Sequence, residues 1–158
     1  MNKTIFDFKN KTAVITGGAQ GFGFDIAKTF LKYGAKVIIW DIDVELLDKV
    51  VEEINDKNFI SMVVDVSNYE NVELAVSKIL KNSSIDILVN NAGITGPTAK
   101  LWEYDVGMWD KIIKINLLGT FYCCKAIVPN MIKKNYGRIV NVASVAGKDG
   151  NANASAYS

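Results

Sequence analysis

Residues 12–34 read TAVITGGAQGFGFDIAKTFLKYG, and this stretch decides the fold. Ala13–Thr16 is a short apolar run of strand character, and the glycines that follow break it. From Gly21 to Lys32 the periodicity changes to that of a helix, with Ile26, Ala27, Phe30 and Leu31 on one face. Gly34 is the natural stop. A strand, a glycine turn and a helix form the first half of a βαβ unit.

The same alternation continues outward. Apolar runs recur at Val37–Trp40, Phe59–Val66, Ile87–Asn90 and Arg138–Ser144. Most are continuous rather than alternating, which is how strands buried on both faces of a parallel sheet read. Between them, Asp43 is placed to cap a helix that turns Val44, Leu47, Val51 and Ile54 inward. Ser67-Asn68-Tyr69-Glu70 has the form of a capping box ahead of Val72, Val76 and Ile79. A long helical pattern covers about 106–134, with interruptions expected near Gly119 and at Pro129. The order predicts an α/β, doubly wound parallel sheet of Rossmann type, strand order 3-2-1-4-5, with right-handed crossovers. No repeat, low-complexity tract or linker divides the chain, so residues 1–158 are expected to form one nucleotide-binding domain.

Composition narrows the function. A net charge of +1, with both signs mixed along the chain, argues against nucleic acid or an anionic membrane as a partner. No apolar run approaches membrane-spanning length, and the charged start MNKTIFDFKNK has no signal-peptide core. A cytoplasmic location is therefore expected, and adjacent Cys123 and Cys124 read as small core residues of a reduced protein. With no histidine in 158 residues, His-based metal sites and Ser-His-Asp triads are excluded. No metal is expected, and acid–base chemistry falls to Tyr, Lys, Asp, Glu or water.

The glycine turn, Gly17 to Gly23, has the spacing G-x-x-x-G-x-G. Glycines there allow a tight turn, close approach of backbone to a pyrophosphate and close helix packing, while the helix N-terminus offers free N–H groups to the phosphates. No Gly-Lys-Ser/Thr follows, so this is not a Walker loop. Asp41 ends the second strand, where a carboxylate can accept both ribose hydroxyls of an adenosine and repel a 2′-phosphate. Gln20 adds no positive charge, so NAD is expected over NADP. Asp65 and Val66 end the third run, where a short acid can meet an adenine amino group or serve as a turn residue. To this point a class I methyltransferase fits equally well.

Four further motifs separate the two. Asn90-Asn91-Ala92-Gly93 follows the fourth strand, Asn116 lies inside the long helix, Ser144 ends the fifth run, and Tyr157 comes thirteen residues later. With the glycine turn, Asp41 and Asp65, these resemble the classical short-chain dehydrogenase/reductase family over essentially the whole chain. The resemblance implies a pyrophosphate turn made by Gly17, Gly21, Phe22 and Gly23 beside Gln20. It gives Asp41 the adenosine ribose, and Asp65 and Val66 the adenine. Asn90, Ala92 and Gly93 would line the cofactor. It makes Asn116 the holder of a relay water, Ser144 the residue that orients the substrate oxygen, and Tyr157 the acid/base. The implied activity is hydride transfer between NAD and a secondary alcohol or ketone. The alternatives are a 3-oxoacyl-carrier-protein reductase using NADPH, or a non-catalytic nucleotide-binding fragment. The family also places a lysine four residues after the tyrosine, a position past Ser158. This chain is therefore expected to be a C-terminal truncation, to fold poorly alone and to turn over little. A longer parent is expected to assemble as a dimer or tetramer. The loop Gly93–Glu103, with Trp102 and Tyr104, suggests an apolar wall for the substrate.

Overall fold

The structure, a computed structural model, describes residues 6–158. Five parallel strands form one sheet: β1 (Thr12–Thr16), β2 (Lys36–Asp41), β3 (Phe59–Val63), β4 (Ile87–Asn90) and β5 (Arg138–Asn141). Their order is β3-β2-β1-β4-β5, as the alternation of runs and helices requires. The connecting helices are α1 (Gly21–Lys32), α2 (Val44–Ile54), α3 (Tyr69–Leu80), α4 (Val106–Ile113) and α5 (Gly119–Lys133), with a short α6 (Ala146–Asp149) after β5.

Both faces of the central strands β1, β2 and β4 are buried, and these strands divide their side chains between the faces at a period of two. Ala13, Ile15, Val37, Ile39, Ile87 and Val89 pack under α1 and α2 with Ala27, Leu47 and Val50. Val14, Ile38, Trp40 and Leu88 pack on the other face with Val72, Val76 and Ile79 of α3 and with Cys123, Ile127 and Met131 of α5. The continuous apolar runs follow from this, since neither face of the central strands meets water. β5 forms one edge, and all four of its residues are exposed.

α1 ends as its glycine suggests. Gly34 has φ +90°, its N–H reaches Leu31 O at 2.9 Å, and Ala35 N–H reaches Phe30 O at 3.0 Å.

Several expected boundaries move. β3 stops at Val63 rather than Val66, because its partner β2 ends at Asp41. One last bond, Val64 N–H to Asp41 O, closes that ladder. β5 likewise stops at Asn141 rather than Ser144, because β4 ends at Asn90. The α3 cap is Asn68, whose side chain accepts from Asn71 N–H, and not Ser67. Ser67 instead donates its hydroxyl and its N–H to Asp65 Oδ1. In α2 the buried residues are Leu47 and Val50, with Ile54 partly buried against the core, whereas Val44 and Val51 face solvent.

The long helix is not broken at Gly119 or Pro129. A π-helical turn, Lys114–Leu118, joins α4 to α5, and Pro129 sits inside α5. The carbonyl that Pro129 cannot serve belongs to exposed Lys125, where water can bond it. The joined helix, residues 106–133, is long and apolar enough by length and composition alone to cross a bilayer, contrary to expectation. Its Cys123, Ile127 and Met131 are packed on the sheet, while Val106, Leu117, Phe121 and Ile132 are exposed.

Candidate functional site

The C-terminal ends of β1, β2, β4 and β5 open onto one cleft. Its first part, about 410 Å³, is lined by Gly17, Gln20, Asp41, Asp65, Val66, Ala92 and Gly93 among others. Its second part, about 520 Å³, is lined by Phe22, Ala92, Gly93, Asn116, Ser144 and Tyr157 among others. The two share Asn91 to Ile94 as lining, so they adjoin at the end of β4. This is the position where the strand order reverses in an open α/β sheet.

The floor of the first part is the turn after β1. Gly17 and Gly21 have φ +61° and +53°, a region that glycine enters freely. A methyl on Gly21 would meet nothing within 4 Å, so its backbone faces open space. Gly23, by contrast, packs against the Gly17 carbonyl and Asn91 Nδ2 and is buried. α1 begins here with no side-chain cap from Gln20 and no acid in its first turn. Its first N–H groups lack helical partners and carry the positive end of the helix dipole. An open cradle of backbone donors beside a carboxylate fits the pyrophosphate and ribose of a dinucleotide.

Asp41 stands at the opposite wall. Its Oδ1 accepts from Ile42 N–H at 2.8 Å and Asp43 N–H at 3.2 Å, and its Oδ2 accepts from Ala19 N–H at 3.1 Å. The capping acid of α2 is its neighbour Asp43, which accepts from Leu46 N–H.

The end of β4 is held by residues that sequence reading passes over. Buried Thr16 Oγ1 accepts from Asn91 N–H and Ala92 N–H, each at 3.0 Å. Asn91 Nδ2 donates to the carbonyls of Thr16 and Gly17, each at 3.0 Å. One amide thus ties the glycine turn to the strand end. The signal that could have found it is a threonine directly before the glycines, opposite an Asn pair. Asn90 is not brought to the cleft. It is buried, and its Nδ2 donates to Asn141 Oδ1 at 2.8 Å, bridging β4 and β5. Because successive strand residues face opposite sides, only Asn91 of the pair reaches the opening.

In the second part, Asn116 lies within the π-helical turn. Its Oδ1 accepts from Ile94 N–H and its Nδ2 donates to Ile94 O, both at 2.9 Å. The side-chain amide is therefore consumed in fixing the loop after β4. Ser144 Oγ accepts from Ala146 N–H at 3.2 Å, which leaves its own proton free to donate outward. The loop and the C-terminal segment are joined by Ala99 N–H to Asn153 O at 2.8 Å. Trp102 and Tyr104 do not line the cleft. Trp102 is 80% exposed, and Tyr104 donates to Pro97 O and packs edge-on against Trp109. Apolar contact comes from Phe22 and Ile94 instead. No cluster of metal-ligating side chains occurs among the described residues.

This geometry meets an independent finding. Residues 11–158 match the family model described as short chain dehydrogenase. The chain belongs to the short-chain dehydrogenase family.

Relatives within it differ in their reactions. This short-chain dehydrogenase is 42% identical over 156 residues to 2-dehydro-3-deoxy-L-rhamnonate dehydrogenase (NAD(+)) of Sphingomonas sp. (strain SKA58), covering 96% of this chain and 60% of that protein. It is 38% identical over 152 residues to a 3-oxoacyl-(acyl-carrier-protein) reductase of Chlamydia muridarum (strain MoPn / Nigg), covering 94% and 61%. Among solved structures, NAD+-bound xylitol dehydrogenase superposes with a TM-score of 0.91 at 34% identity, covering 96% of this chain and 60% of that one. The chain thus spans about 60% of the length of these relatives.

Proposed function

We propose that this chain is the coenzyme-binding and acid–base portion of an NAD-dependent oxidoreductase that interconverts a secondary alcohol and a ketone. The observation that carries the reading is the single cleft with Asp41 at one end and Asn116, Ser144 and Tyr157 at the other. NAD, when bound, supplies the hydride acceptor. The turn Gly17–Gly23 and the start of α1 bind its pyrophosphate through backbone N–H groups. Asp41 accepts from the adenosine ribose and repels a 2′-phosphate, and Gln20 offers such a phosphate no countercharge. Asp65 and Val66 would flank the adenine, and Ala92 and Gly93, which line both parts of the cleft, would line the cofactor between its two ends.

At the other end, Ser144 donates its hydroxyl proton to the substrate oxygen, where negative charge develops during reduction. Tyr157 gives that oxygen a proton in reduction and takes one in oxidation. Asn116 holds the loop at Ile94 in place. Two relatives named for NAD(+), one acting on a sugar acid and one on a polyol, support NAD and a polyhydroxylated substrate. The 38% identity to a 3-oxoacyl reductase favours a second reading, with a 3-oxoacyl thioester as substrate and NADPH as reductant.

One measurement separates the two: the ratio of kcat/KM for NAD and NADP on the full-length protein, with a panel of polyols and a 3-oxoacyl thioester. The expected result is a preference for NAD with a polyol. A clear preference for NADPH with the thioester would establish the second reading in its place.

A further inference from the structure

The turn after β1 has almost no side chains to hold it, since Gly17 and Gly18 have none and Ala19 has a methyl. Its backbone is nevertheless fastened to the end of β2 at two successive points. Gly18 N–H donates to Trp40 O at 3.2 Å, and Ala19 N–H donates to Asp41 Oδ2 at 3.1 Å. There is no slack between turn and strand: a methyl on Gly18 would lie 2.6 Å from Ile39 Cβ.

The Asp41 carboxylate is therefore shared. A carboxylate has about four acceptor positions. Ile42 and Asp43 N–H occupy two on Oδ1, and Ala19 N–H occupies one on Oδ2. The position left over is on Oδ2. The oxygen free to receive a sugar hydroxyl is the oxygen that already holds the turn. No lysine or arginine forms an ion pair with Asp41 among the described residues, so backbone donors alone orient it.

We propose that Asp41 is a positioning residue for the phosphate-binding turn as well as the reader of the ribose. Through Ala19 N–H it fixes the backbone donors that receive the pyrophosphate, so nucleotide affinity depends on Asp41 even when the ligand has no ribose hydroxyls. This rests on the NAD reading above. It also means that neutralising Asp41 to admit a 2′-phosphate loosens the turn on which either cofactor depends.

The test is a binding cycle on the full-length protein by titration calorimetry. ADP and 2′,3′-dideoxy-ADP are titrated into the wild type, Asp41→Ala and Asp41→Asn. If Asp41 only reads the sugar, dideoxy-ADP binds all three proteins equally. If it also braces the turn, Asp41→Ala weakens dideoxy-ADP by about tenfold, the scale of one hydrogen bond to a charged group. ADP falls by more. Asp41→Asn, with one acceptor oxygen in place of two, loses less than Asp41→Ala and is near enough in shape to fold if the alanine variant does not. Affinity is read on folded protein, so general destabilisation does not imitate the effect. Equal dideoxy-ADP affinities in all three proteins would overturn the bracing role alone. Tighter wild-type binding of adenosine 2′,5′-bisphosphate than of ADP would overturn the NAD reading and this proposal with it.

Discussion

Replacing Gly23 by alanine tests how the glycine turn is built. A methyl at Gly23 would lie 2.6 Å from Asn91 Nδ2 and 2.9 Å from the Gly17 carbonyl carbon, with the Gly17 oxygen nearer still. Ordinary contact distance is about 3.5 Å, so α1 and the turn must separate by about 1 Å. Neither side can yield by rotating a flexible side chain, because one is backbone and the other is an amide held by two carbonyls at 3.0 Å. Overpacking of this kind costs about 1–3 kcal/mol, and losing both amide bonds adds about 1 kcal/mol each. The expected destabilisation is about 3–5 kcal/mol. Gly21 is the control. A methyl there meets nothing within 4 Å, and the cost is that of a positive φ, about 1 kcal/mol. Urea denaturation of the full-length protein measures both costs, and calorimetric titration with ADP measures the effect on the site. Gly23→Ala is expected to lose stability and ADP affinity together, and Gly21→Ala to lose mainly affinity, since its methyl projects into the open cradle. A Gly23→Ala variant within about 0.5 kcal/mol of wild type, the range of an ordinary surface substitution, would refute the packing argument.

Three further outcomes are expected. Thr16→Val leaves the Asn91 and Ala92 N–H groups without an acceptor and costs about 3 kcal/mol in denaturant melts, whereas Thr16→Ser keeps the oxygen and costs about 1 kcal/mol or less. Lys134→Met strips the cation at 2.6 Å from Asp86 Oδ1, whose side chain is 3% exposed. About 2 kcal/mol of stability is lost, less than for a wholly buried pair because Thr12 N–H still serves Oδ2 and Lys134 is partly solvated. Burial raises the Cys123 thiol from 9.0 to about 12, so it stays neutral and resists iodoacetamide in the native protein at pH 8.5. The unfolded thiol ionises first, so this group's contribution to stability is intact below about pH 9 and declines as pH rises toward 12. Urea midpoints of wild type and Cys123→Ala across that range should converge as pH rises; a constant gap would contradict the linkage.

The sheet and its order were legible in the chain because buried parallel strands leave continuous apolar runs and each helix carries its own apolar face. The glycine turn, Asp41 and the Asn90-Asn91-Ala92-Gly93 motif stand out in the chain because they sit at strand ends, where the chain must leave the sheet, whereas Asn116 in the long helix and Tyr157 beyond β5 stand out only through the family resemblance. What sequence could not supply depends on partners distant in the chain. β3 and β5 stop where β2 and β4 stop, so neither length is written in its own residues. The pleat sends Asn90 inward and Asn91 to the cleft, a choice that rests on register and not on residue type. The expected break at Gly119 became a π-helical turn that carries Asn116 to Ile94, twenty-two residues away.

Sequence by itself thus marked the turn as a place where the backbone needs glycine, for positive φ at Gly17 and Gly21 and for close packing at Gly23. Tertiary structure alone decided what holds that turn in place. Thr16, Asn91 and Asp41 grip it through hydrogen bonds that span between 22 and 75 residues, and such bonds exist only once the strands stand side by side.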